Sequence, residues 1–178
     1  MNNDILDRIK QFNDSKISFE PGWAWKVYEN IENIICANGW EGDEVLENIP
    51  EKLQTVFLLL DLQKTLLGDG FFSVFYNETP NSIKRLRHAI RLAELTEVGE
   101  IFDEALRLVK SKFSWTNEDI NFVTQMMDEE TDDPEEFFGD EISGQFEEFE
   151  DRVYAIFFNE KFEMDEKFEE LLETYVNG

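Results

Sequence analysis

The sequence predicts an all-α fold, a single compact multi-helix domain spanning 1–178 with acidic amphipathic helices towards its C-terminal end. Three observations carry that prediction. Apolar residues recur at steps of three and four in nearly every segment, the repeat of one helix face. No stretch sustains the apolar–polar alternation of a half-buried strand. Turn-forming residues fall at the segment boundaries, with Pro50 and Pro80 ahead of apolar runs and Asn38-Gly39 and Gly68-Asp69-Gly70 behind them.

A short helix around Ile5 to Phe12 opens the chain. Val27, Ile31, Ile34 and Ile35 then make an apolar stripe that stops at Asn38-Gly39, with Trp23, Trp25 and Tyr28 packed beside it. Cys36 is placed on the apolar side of this helix, as a small core residue. Pro50 suits the first turn of a helix running to Leu67, in which Leu53, Val56, Phe57 and Leu60 face one way while Leu58, Leu59 and Leu62 widen the stripe. That breadth predicts a central, buried helix. After the Gly68-Asp69-Gly70 break, Phe71, Phe72, Phe75 and Tyr76 have the spacing of a short helix laid on the core.

Pro80 opens a helix with Ile83, Leu86, Ile90 and Ala93 inward and Lys84, Arg87, His88 and Arg91 outward. Val98, Ile101, Phe102, Ala105, Leu108 and Val109 mark the next, and Asn117 reads as the N-cap of one containing Ile120, Val123 and Met126. Asp128 to Glu136, with Pro134 inside it, reads as a loop. Two further stripes follow, one of Phe146, Phe149, Val153, Ile156 and Phe157 and one of Met164, Phe168, Leu171, Leu172 and Tyr175.

Charge separates these regions. Forty-one acidic residues against 16 basic ones leave a net charge of −25, yet 42% of residues are hydrophobic, which sets the chain apart from disordered polyanions. From Asp128 to Glu173 there are 20 acids against Arg152, Lys161 and Lys167, so the acidic third, 128–173, carries most of the excess. Its apolar stripes predict that it docks on the core and is not a solvated tail. Such a surface repels phosphates, which argues against direct nucleic-acid or anionic-membrane binding and favours basic partners. The longest apolar run, Val56 to Leu60, is far short of the roughly 20 residues that span a bilayer, and no apolar segment follows a basic flank, so a cytoplasmic protein is expected.

Catalytic chemistry finds no support in the residue pattern. Asp128, Asp132 and Asp133 have part of a calcium-loop spacing, but Asp133 stands where that loop needs glycine and Pro134 follows. His88, the only imidazole, lies in a basic stretch with no Ser or Cys that periodicity places beside it. The lone Cys36 excludes an internal disulfide and a four-cysteine zinc site. Gly68-Asp69-Gly70-Phe71 follows no strand and lacks the Lys-Ser or Lys-Thr of a phosphate loop. The expectation is a non-catalytic protein without metal or cofactor. Lys84, Arg85, Arg87 and Arg91 are expected to pair with acids within or between subunits.

The acidic helices supply the candidate partner-binding surface: Glu147, Glu148, Glu150, Asp151, Asp165, Glu166, Glu169, Glu170 and Glu173. Acids one helical turn apart hold their Cβ atoms roughly 5–6 Å apart. Glu147 with Asp151, Glu166 with Glu170, and Glu169 with Glu173 thus form fixed rows of negative charge on a scale comparable to a phosphate backbone. Like charges at that spacing cost helix stability, a cost that solubility alone does not require.

The segment Leu67-Gly68-Asp69-Gly70-Phe71-Phe72-Ser73-Val74-Phe75-Tyr76-Asn77 resembles the signature of a helical bacterial family of DNA mimics typified by an acidic Neisseria protein. Gly68-Asp69 stands where that family favours Asn-Gly. Ala89-Ile90, Glu97-Val98-Gly99 and Ala105-Leu106 match its helix pair, and Phe149-Glu150-Asp151-Arg152-Val153-Tyr154 and Leu171-Leu172-Glu173-Thr174-Tyr175-Val176 its closing helices. The resemblance runs from about Leu53 to Val176. It implies an all-α fold, a homodimer and occupation of a transcription factor's DNA-binding surface. The reading is therefore a DNA mimic that competes for a basic DNA-binding protein, a repressor or a nucleoid protein. An immunity-type inhibitor of a basic toxin nuclease, and a hydrolase using carboxylates and a divalent metal, are the alternatives.

Overall fold

Among the residues that the computed structural model describes, the periodic apolar positions fold as helices. These are residues 1–76, 80–112, 139–158 and 166–178, without the side chains of 76, 80, 81, 111, 112, 166 and 167. Every regular element among them is helical: α1 (Asn3–Asp14), α2 (Trp23–Ala37), α3 (Gly42–Leu46), α4 (Glu51–Gly68), α5 (Ser73–Tyr76), α6 (Pro80–Leu92), α7 (Thr96–Lys112), α8 (Asp140–Phe158) and α9 (Glu166–Asn177). No described helix is long and apolar enough to cross a membrane.

Boundaries follow local chemistry. The Asn2 side chain accepts from the Ile5 N–H at 3.0 Å and caps α1. Asn38 and Gly39, the glycine at φ +73°, end α2 as the sequence signals. Pro50 occupies the N-cap of α4, one position ahead of the expected first turn.

The broad stripe makes α4 the central element. Leu53, Val56, Leu59, Leu60, Leu62 and Leu66 are buried, and the helix meets α2, α5, α6, α8 and α9. A helix enclosed on that many sides has no wide polar face to present. α7 packs on α6, α8 lies against α7 and α4, and α9 against α4 and α2, so the acidic helices are docked.

The aromatic-rich turn before α5 knits these layers together. Phe71 and Phe75 are fully buried, their rings meeting edge to face at 5.5 Å. Phe75 continues to Phe102 of α7 at 5.0 Å and to Phe146 of α8 at 5.6 Å. Such pairs add to their area burial through ring quadrupoles.

Two expectations differ from the structure. Cys36 is exposed, because the buried side of α2 runs through Val27, Ile31, Ile34 and Ile35 and one further residue turns the side chain about 100° away. The five-residue α3 was not anticipated, since it is too short to show a period. The helix expected after Asn117 and the loop from Asp128 to Glu136 lie outside the described residues, as does Met164.

Candidate partner-binding surface

On α8 the apolar stripe of Ile142, Phe146, Phe149, Val153 and Phe157 is buried, which fixes the rotation of the helix. The opposite arc then presents Glu147, Glu148 and Asp151 to solvent. On α9, Phe168 and Leu172 are buried, leaving Glu170 exposed and Glu173 half-buried. Among the described residues no cation lies within ion-pair distance of Glu147, Glu148, Asp151 or Glu170. Among the described residues their charge is uncompensated, and on α8 the buried stripe holds them in place. Glu166 begins α9 but its side chain is not described, and Asp165 lies outside the described residues.

Two of the expected surface acids turn inward instead. Glu150 Oε2 accepts the backbone N–H of Phe71. The approach is close: Gly70 sits at φ +81°, and a Cβ on it would stand 2.5 Å from Glu150 Oε2, so only glycine suits both the turn and its neighbour. Glu169 accepts from the N–H groups of Gly22, at 2.9 Å, and Ala24, at 3.0 Å. These are free donors at the start of α2, which lacks a side-chain cap of its own.

Glu150 and Glu169 therefore tether the acidic helices to the core. A signal for the first was present in the sequence. At about 100° per residue, Glu150 falls roughly 20° from Phe157, on the edge of the apolar arc and away from the other acids. Replacing Glu150 by alanine leaves the Phe71 N–H without its acceptor and is expected to cost about 1–2 kcal/mol in urea denaturation. Glu150→Gln, which keeps an acceptor oxygen, is expected to cost less. Equal stability of the wild type and the alanine variant would show that this bond contributes nothing.

The basic stretch on α6 is engaged within the chain. Arg85 reaches Asp43 of α3 at 3.3 Å and Glu47 at 3.1 Å, and Arg87 reaches Asp103 of α7 at 2.6 Å. His88 Nε2 lies 3.0 Å from Glu51, and Arg91 meets His88 Nδ1 at 2.7 Å. A guanidinium only donates, so Nδ1 accepts and Nε2 carries the proton towards Glu51. Arg152 crosses from α8 to Glu104 at 2.7 Å, and that bond holds the Glu104 carboxyl below its usual range. Among the described residues the cations thus pair with acids of α3 and α7, and the outer arcs of α8 and α9 keep exposed acids that no described cation reaches.

Among the described residues no group of three or more His, Cys, Asp or Glu is arranged to hold a metal ion. What the outer arcs offer is a shallow, negatively charged relief suited to a cationic macromolecular surface. No curated protein and no solved structure matches the chain. Over residues 47–178 it matches the family model described as DMP19-like protein, a family of DNA mimics, and the match takes in α4 to α9 and both acidic helices; the chain belongs to the DMP19-like family.

Proposed function

We propose that the protein is a non-catalytic DNA mimic that occupies the DNA-binding surface of a basic protein, a transcription factor or a nucleoid protein, with the outer faces of α8 and α9. The observation that carries this reading is the exposed set Glu147, Glu148 and Asp151, uncompensated by any described cation on a helix fixed by five buried side chains. Membership of the DMP19-like family supports it. On this reading the protein acts in the cytoplasm as a homodimer and regulates transcription by competition, taking a site that DNA would otherwise fill.

Because the recognition is electrostatic, encounter is fast and affinity depends on salt. The test is capture of partners from native lysate at low salt, elution along a salt gradient, and identification of what elutes. The expected result is one DNA-binding protein in a sharp peak, which releases its DNA when this protein is added. Its affinity is expected to fall at least about tenfold between roughly 50 and 500 mM salt. A smear of unrelated basic proteins, or affinity indifferent to salt, would overturn the mimic reading. A basic nuclease in the peak would replace it with inhibition of that enzyme.

A further inference from the structure

A cleft between α2, α3 and α4, away from the acidic helices, differs from them in kind. It encloses about 710 Å3, with apolar walls from Ile35, Leu46, Phe57 and Leu58 and with the Trp40 indole at its mouth. Trp40 is 68% exposed, the most exposed large apolar side chain among the described residues. Its backbone adopts φ +69°, a conformation unusual for a non-glycine residue, and its N–H is bonded to Ile35 O at 3.0 Å. The indole is thereby held out at the rim.

The buried Tyr28 and the half-buried Asp61 also line the cleft. Asp61 Oδ1 accepts from the Tyr28 hydroxyl at 3.0 Å. The nearby ammonium of Lys64 goes to Glu32, at 2.7 Å, and to the Tyr28 oxygen, at 3.0 Å. Of the other acids around the opening, Asp43 has Arg85 and Glu44 has the chain's amino terminus at 2.6 Å, while Glu41 at the rim has no cation in ion-pair distance among the described residues. Among the described residues no cation reaches ion-pair distance of Asp61. Burial pushes its carboxyl above the usual range, against the Tyr28 hydrogen bond and the nearby Lys64 charge, which both lower it. A half-buried carboxylate that no described cation reaches within ion-pair distance, in an open cleft with an aromatic rim, is complementary to an organic cation.

We propose that this cleft receives an arginine side chain of the protein's basic partner, with the guanidinium on the Asp61 carboxylate and its stem against the Trp40 indole. The proposal rests on the reading of the protein as a ligand for a basic protein and names an anchor point within it. Arginine fits better than lysine because its guanidinium is planar, weakly hydrated, and able both to stack on an indole and to pair with a carboxylate. Trp and Arg are also among the side chains most enriched in interface hot spots, which tend to pair across an interface. Trp40, Tyr28 and Glu32 all precede residue 47, where the family match begins, so most of this cleft is built by the N-terminal part of this chain.

The test titrates N-acetyl-arginine methylamide into the full-length protein and follows the indole N–H resonances, with the uncharged citrulline analogue as control. The expected result is a saturable shift of the Trp40 resonance with the arginine probe and none with citrulline. Asp61→Asn, which keeps an oxygen for Tyr28, is expected to weaken binding at least about tenfold without lowering the thermal midpoint. Equal shifts with citrulline, or binding unchanged in Asp61→Asn, would overturn the proposal. The two readings fail separately. If Trp40→Ala and Asp61→Asn capture the DNA-binding partner with undiminished affinity, the cleft is no anchor while the acidic faces stand. If the probe binds but no DNA-binding protein is captured, the cleft stands and the mimic reading falls.

Discussion

Replacing Phe71 by alanine is expected to destabilise the protein by about 3–5 kcal/mol, the range for deleting a buried aromatic ring. Phe71 is fully buried and touches Phe75 at 5.5 Å, Phe146 at 6.3 Å and Phe102 at 6.5 Å. Those rings belong to three helices, α5, α8 and α7, that cannot all close in on the vacated space at once. Its N–H is also the donor that Glu150 accepts, so a shifted turn would loosen the α8 tether as well. Urea denaturation would show the loss as a lower midpoint at nearly constant slope, and thermal melting as a drop of roughly 10 °C. A loss below about 1 kcal/mol would mean that the aromatic group is not the joint holding α8 to the core.

Neutralising the face of α8, with Glu147→Gln, Glu148→Gln and Asp151→Asn together, is expected to do the opposite. Affinity for the DNA-binding partner should fall about 10- to 100-fold at low salt, most of it through slower association. The thermal midpoint should hold or rise, since like charges a turn apart on a helix repel. Competition against labelled DNA gives the first quantity and a melting curve the second. Unchanged affinity would remove this face from the interface, and a marked fall in stability would show that these acids serve the fold.

The helices were legible because each depends on periodicity, and periodicity is a property of a short stretch of chain. The stripes of α2, α4, α6, α7, α8 and α9 are all found where the apolar residues repeat, and Asn38-Gly39 ends α2 as such pairs do. Cys36 was misplaced because it neighbours Ile35, and a four-residue stripe leaves the edge of the buried arc poorly defined. The roles of Glu150 and Glu169 were harder to read. Their partners lie 79 residues away at Phe71 and 145 to 147 residues away at Ala24 and Gly22, and a bond to a backbone N–H requires no particular residue there. Trp40 drew no notice in the sequence, since exposure at a left-handed position leaves no periodic trace.

The segments that carry the family resemblance turn out to meet. Gly70-Phe71 belongs to one and Phe149-Glu150 to another, and they join where the Glu150 carboxylate reaches the Phe71 N–H above the glycine. Their joint role is architectural, which explains why such residues identify a fold without naming a partner.

Glu150 lies next to Asp151 in the sequence, yet one grips the scaffold while the other faces water. Anchorage and presentation are thus assigned to different positions of the same helix, interleaved at single-residue spacing. Such a helix can have its outward letters rewritten one by one without being detached from its mount. If these faces bind a partner as proposed, a change of target needs surface substitution alone, keeping the frame while the charge pattern changes.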